Sequence, residues 1–142
     1  MTTTLTATPA VTGTAVVETR PLWRPALVAG VAAAVATTAI AAIALAAGVS
    51  FETDGSTIPL LGFAEMTLLG AVLGLLIARL ARRAAHPQAL FVRITVALTA
   101  FSLIPDVATS FDTASRIMLM VTHLVAAAIV VPVLARRLPT TR

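Results

Sequence analysis

The sequence predicts an all-α protein: an antiparallel, up-down-up-down four-helix transmembrane bundle with a disordered N-terminal arm. Three observations predict it. The 142-residue chain is 58% hydrophobic and only 11% charged, where a soluble domain carries about 25% charged residues. Its apolar residues fall in four runs, each near the roughly 20 residues that cross a bilayer core. Its arginines gather at alternate ends of those runs. With a mean hydropathy of +0.99, too few polar side chains remain to cover a water-facing surface.

Residues 1–24, "MTTTLTATPAVTGTAVVETRPLWR", form a Thr-rich arm without sustained period, expected to be disordered and cytoplasmic. It is a poor signal peptide: the arm is too long, the apolar run behind it exceeds a usual h-region, and no basic residue precedes position 20. Trp23 and Arg24, beside Pro25, read as an interfacial anchor. The four-helix domain spans 25–138, with helices expected at about 26–49, 58–80, 90–110 and 116–135, and a cytoplasmic tail at 139–142. Backbone groups in lipid must bond internally, so these runs are helices rather than open strands. The connections "SFETDGST", "ARRAAHPQ" and "FDTAS" are short, which makes consecutive helices antiparallel neighbours.

All ten basic residues are arginine, a usage that fits a GC-rich coding bias. Nine of them (Arg20, Arg24, Arg79, Arg82, Arg83, Arg93, Arg136, Arg137 and Arg142) fall on one side of the expected bundle. Arg116 alone falls on the other, beside Glu52, Asp54 and Asp112. By the positive-inside rule both termini are cytoplasmic, in a multi-pass protein of the cytoplasmic membrane. The high pI does not point to nucleic acid, because the arginines do not share one face with interleaved aromatics. "ARLARRAAH" suits anionic lipid headgroups, but topology alone accounts for these arginines.

Helix two carries Gly70, Gly74 and Ala78 at four-residue spacing, and helix one carries Gly30, Ala34, Thr38, Ala42 and Ala46. Such small-residue rows let backbones approach closely. They fit either a homodimer seam or packing within one bundle, and the second is preferred. Pro132, late in helix four, frees the carbonyl of Ala128 and favours a bend.

Three ionisable residues lie inside the apolar runs: Glu65, Asp106 and His123. Counting from the side opposite the arginines, they sit about 9, 6 and 10 Å deep, respectively, at a rise of about 1.5 Å per residue. Three helices thus present polar groups at similar depth in the outer half of the bilayer. Helix three adds a stripe of Thr95, Thr99, Ser102, Asp106 and Thr109 at helical spacing. Arg116, Met120 and His123 share a face of helix four, and Asp112 is spaced to pair with Arg116. Pro105 leaves the carbonyl of Phe101 unpaired next to Asp106. Glu65, Asp106, His123, Ser102, Thr99 and Arg116 are therefore the candidate intramembrane polar site, for a proton, a cation or a small polar ligand. The competing reading is a polar clasp that fixes helix register.

Other chemistry is missing its residues. There is no cysteine, hence no disulfide, thiolate metal site or cysteine nucleophile. H-E-x-x-H, G-x-S-x-G and a phosphate-cradling Gly loop are absent. An intramembrane aspartyl protease needs two aspartates, and only Asp106 is placed, with Glu65 as its nearest substitute. A haem on His123, with Met118 or Met120 nearby, lacks a second ligand from a facing helix, since His86 lies in the cytoplasmic loop. No cofactor, no metal and no enzymatic activity are expected. The expected partners are the lipid bilayer and either a second copy or another membrane protein. The expected role is a small transporter, channel-like or ligand-sensing protein; the alternative is a non-catalytic assembly or envelope-associated subunit.

The stretches "IPLLGFAEMTLLGAVLGLLIARLARR", "VALTAFSLIPDV" and "MLMVTHLVAAAIVVPVLARRL" combine G-F-A, S-L-x-P-D and T-H-L-V-A-A-A. Over about residues 21–138 the chain resembles the small uncharacterised four-helix membrane proteins common in actinobacteria, a domain of unknown function. The resemblance implies an integral membrane bundle with Asp106 and His123 as family features. It implies no activity.

Overall fold

The computed structural model describes residues 21–53 and 55–141. Most of the expected N-terminal arm therefore lies outside the described residues. Its last residues do not extend the arm: Leu22 is buried, and Trp23 and Arg24 open the first helix. The order is α1 (Trp23–Ala46), a two-residue hairpin of β1 (Glu52–Thr53) and β2 (Ser56–Thr57), α2 (Leu60–Ala81), α3 (Pro87–Ser102), α4 (Ile104–Ala108) and α5 (Thr113–Ala135).

Local chemistry sets the ends. α1 starts three residues before the expected 26. Pro25 falls in its first turn, where a backbone N–H would have no intrahelical partner. It stops at Gly48, whose φ of 93° is left-handed. There Val49 N–H reaches the Ala44 carbonyl and Gly48 N–H the Leu45 carbonyl, a Schellman closure. α3 begins at Pro87, in the first-turn position that proline favours. Asp112 caps α5, accepting from the N–H groups of Ala114 and Ser115 at 2.9 and 3.0 Å.

The third apolar run is not the single helix expected over 90–110. It breaks at Leu103 into α3 and α4. Pro105 is the cause: inside one long helix it would remove a backbone bond and crowd the preceding turn, but in the first turn of a new helix it does neither. Counting α3 and α4 together, four helical segments of 24, 22, 22 and 23 residues are long and apolar enough to cross a membrane.

α1 packs against both α2 and α5, α2 and α5 touch each other, and α3 packs on the far side of that pair. One buried cluster joins Ala26 and Ala29 of α1, Ala78 and Ala81 of α2, Phe91 of α3, and Leu134 and Leu138. That is the end to which Arg24, Arg79, Arg82, Arg83, Arg93, Arg136 and Arg137 belong. The other cluster joins Ala41, Ala44, Phe51, Phe63 and Leu119, toward Arg116. The interior is mostly alanine, while Leu27, Val28, Val35, Leu61, Leu69 and Phe101 face outward. This distribution, small inside and large apolar outside, suits a lipid-facing exterior, where burying bulk gains little and close backbone approach gains more.

The tightest approach is at Gly30. A Cβ built there would lie 2.9 Å from Ala71 Cβ. Nearby, Thr37 and Thr67 share a 2.9 Å hydrogen bond between the same helices. Gly74 faces Val130 and Leu134 of α5 with ordinary room for a Cβ, and Ala78 is buried. Gly70, the third member of the expected stripe, meets nothing within 4 Å. In helix one the buried set includes Gly30, Ala33, Thr37, Ala41 and Ala44, whereas Ala46 of the expected row is exposed. Gly30, Gly74 and Ala78 thus pack against other helices of the same chain, and Gly70 and Ala46 do not.

Past α1 the chain folds back over the bundle end. Phe51 takes a positive φ of 49°, is fully buried, and meets Phe63 edge-on with ring centroids 5.1 Å apart. Its N–H donates to Ser115 Oγ at 3.0 Å, and Ser115 Oγ–H donates in turn to Asp112. A helix cap and a loop anchor are therefore one network.

Three outcomes follow from this packing. Gly30→Leu lowers unfolding stability by about 1–3 kcal/mol, as overpacking does, whereas Gly70→Ala lowers it not at all; thermal unfolding in detergent compares them. Ser115→Ala strands the buried Phe51 N–H and lowers stability by about 1–3 kcal/mol in the same assay. The Ser115 hydroxyl and the capping amides hold the Asp112 carboxyl below its ordinary 3.8. Asp112 binds protons less readily when folded, so its contribution is present above the ordinary carboxyl value and is lost as pH falls through the lowered one. A pH titration of stability, with Asp112→Asn as control, reads this loss.

Candidate functional site

α1 seats closely against α2 and α5, but α3 stands off from them, and a cavity of about 470 Å³ lies between α2, α3 and α5. It runs from Phe91, near the arginine-rich end, to Asp106, Phe111 and Ile58 at the other. Most of its wall is apolar. Its polar side chains are Thr67 of α2, Thr95, Thr99 and Ser102 of α3, Asp106 of α4, and Thr122 and His123 of α5.

Asp106 is 6% exposed. The break at Leu103 puts it in the first turn of α4 and so beside α5. Its Oδ2 lies 3.2 Å from His123 Nδ1. The same Nδ1 lies 3.0 Å from the Leu119 carbonyl. A carbonyl only accepts, so Nδ1 carries a proton and gives it to Leu119. Asp106 Oδ2 is close enough to His123 for an ion pair but is not in line with that N–H. It is buried without a hydrogen-bond partner. His123 is the more open partner, its side chain 39% exposed.

The hydroxyls on the wall bond to their own helices. Thr95 donates to the Phe91 and Val92 carbonyls, Thr99 to Thr95 and Ser102 to Thr99. Thr122 donates to Leu119 at 2.7 Å. Thr37 gives its proton to the Ala34 carbonyl, so in the Thr37–Thr67 pair Thr67 is the donor.

Of the six candidate residues, Thr99, Ser102, Asp106 and His123 line the cavity together. Glu65 does not join them. It is exposed on the outside of α2, because it lies two residues from both Phe63 and Thr67, which face the cavity, and two residues turn a helix by about 200°. Arg116 does not join them either. Its guanidinium reaches the Thr109 and Phe111 carbonyls at 3.5 and 3.4 Å, and Asp112 caps the helix instead of pairing with it. Thr67 and Thr122 line the site without having been singled out. Their signal was available: each continues a small or polar row, Thr67 toward Gly70 and Gly74, Thr122 beside His123. Among the described residues no three His, Cys, Asp or Glu side chains gather to hold a metal ion.

Helices of this length, an alanine interior and a buried acid–imidazole pair facing an apolar cavity define a class: a four-helix protein of membrane-spanning dimensions with one internal polar site. Its model matches over residues 17–140, and the chain belongs to a family of unknown function, DUF6069. Comparison with curated proteins and with solved structures finds no match.

His123→Ala leaves the Asp106 carboxylate buried alone and lowers stability by about 1–3 kcal/mol. Asp106→Asn keeps the shape, removes the charge and costs less. Denaturant titration of the two variants in the same detergent checks the order.

Proposed function

We propose that this protein is a multi-pass integral protein of the cytoplasmic membrane, an up-down-up-down antiparallel bundle with both termini cytoplasmic. In it the cavity between α2, α3 and α5 binds a small molecule for transport or sensing, without catalysis. The carrying observation is Asp106. A buried carboxylate oxygen without a hydrogen bond is costly in an apolar setting, and Asp106 belongs to the wall of the cavity. A register clasp would instead be expected to satisfy its own polar atoms. The cavity's size is that of small-molecule sites, roughly 300–1,000 Å³. Arginine placement supports the orientation, which puts Asp106 and His123 in the outer half of the bilayer. The arginine-only basic set and the family resemblance support an actinobacterial source.

A second reading, a subunit of a homo-oligomer or of a larger membrane assembly, draws on the outer furrow between α1 and α2. Val31, Ala34, Val35, Ala39 and Leu68 line it, and Thr38 Oγ1 is buried there without a partner.

The chain has no cysteine, so single-cysteine variants report sidedness cleanly. A membrane-impermeant maleimide labels the Ser56→Cys variant in intact cells and the His86→Cys variant only after permeabilisation; the reverse pattern overturns the orientation. For the ligand site, Gly70→Phe fills open cavity space. Screened in nanodiscs, a ligand at a hundredfold excess over Kd stabilises the wild type by about 2.7 kcal/mol, read as a raised melting temperature, and leaves Gly70→Phe unchanged. A screen in which no compound distinguishes the two proteins overturns the proposal.

A further inference from the structure

We infer that the cavity takes an amphipathic organic cation, a protonated amine seated at Asp106 with an apolar body laid along α3. This rests on the ligand-site reading above and names the ligand class for it.

The donor and acceptor inventory of the wall carries the inference. Thr95, Thr99, Ser102 and Thr122 spend their hydroxyl protons on backbone carbonyls, and Thr67 spends its own on Thr37. Each hydroxyl oxygen then faces outward only as an acceptor. His123 gives its Nδ1 proton to Leu119, which leaves Nε2 as the one ring nitrogen not committed. Asp106, nine-tenths buried, adds a carboxylate oxygen with no hydrogen bond. The wall is rich in acceptors, poor in donors and negative at one point. A ligand that complements it brings N–H donors and a positive charge.

With His123 as the neutral imidazole, the groups nearby do not change that sign. α2 and α3 place no titratable side chain on the wall, α4 places Asp106, and α5 places His123. Arg116 is turned toward the Thr109 and Phe111 carbonyls.

Shape and polarity then choose among cations. A bare metal ion needs a shell of oxygen ligands, and the described residues gather no such cluster. The rest of the wall is apolar, including Phe63, Leu98 and Val130. Along α3 it extends from Ser102 to Phe91, about 16 Å at the rise of a helix. An elongated apolar body fills that length while its ammonium head stays at Asp106. A fatty acid brings a second carboxylate to a donor-poor wall, and an alcohol satisfies one acceptor and no charge.

The test is isothermal titration of the full chain in nanodiscs of zwitterionic phospholipid, with empty nanodiscs subtracted. The probes are octylamine, octanol and octanoate; the proteins are wild type, Asp106→Asn, Asp106→Glu and Gly70→Phe. The expected result is octylamine binding at least about tenfold tighter than octanol, with octanoate weakest. Asp106→Asn abolishes that advantage, Asp106→Glu retains it in part, and Gly70→Phe binds none of the probes. Octanol or octanoate binding as tightly as octylamine overturns the inference, as does an amine preference that survives Asp106→Asn. If octanol binding is lost in Gly70→Phe while the amine has no advantage, the cation inference falls and the ligand site stands. If every probe binds wild type and Gly70→Phe alike, both fall. Should Asp106→Asn not fold, the head-group series on wild type and Asp106→Glu decides.

Discussion

The architecture depends on how closely α1 approaches α2. At Gly30 the helices are near enough that a single methyl group would meet Ala71 at 2.9 Å. Only small side chains permit that, and α1 supplies Gly30, Ala33, Ala41 and Ala44 along the buried face. Where helices of this kind lie in lipid, apolar transfer between them gains little, and contact area and backbone proximity hold them together. α1 seats closely on both α2 and α5, which meet each other no more extensively than they meet α3. α3 presents Phe91 and hydroxyl side chains to its neighbours instead. The cavity lies between α2, α3 and α5, the three helices that meet one another less extensively than α1 meets α2 and α5.

The same contrast explains where polar chemistry is tolerated. Thr37 and Thr67 sit inside the tight region and bond to each other. Asp106 sits at the edge of the loose one, carried on a separate helical turn that lets it reach α5 without bending α3. The proline beside it is what makes that turn separate. A carboxylate on an unbroken helix would have followed the stripe of Thr99 and Ser102 in register, rather than being set by a new start at Ile104.

Much of the fold was legible because the signals were long. Four apolar runs of membrane-spanning length stand out from any short-range ambiguity, and the arginine clusters mark one end of the packed bundle. Helix ends were less legible. Pro25 lies just before the expected first helix and Pro87 in the expected second connection, yet the first turn of a helix accepts proline, and both helices start earlier than expected. Asp106 and His123 were legible as a pair because depth can be counted along each helix. Depth alone misplaced Glu65, which shares their level but not their azimuth: a rotation of about 100° per residue decides which side of a helix a group occupies. Arg116 was misread for another reason. Loop carbonyls, invisible to side-chain pattern, compete for its guanidinium. The plug made by Phe51 was not legible at all, since it needs a left-handed residue that sequence does not mark as glycine would.

The two ends of α3 are held very differently. At the arginine-rich end Pro87 and Phe91 are buried, and the Gln88 N–H is tied to the Pro139 carbonyl of the chain's last segment at 3.2 Å. At the other end the helix simply stops at Leu103, and the short turn beyond it rests on α5 through Asp106 and His123. One end of α3 is thus anchored in the cluster around Phe91, while the turn beyond its other end is held to α5 by a single acid–imidazole contact at the edge of the cavity.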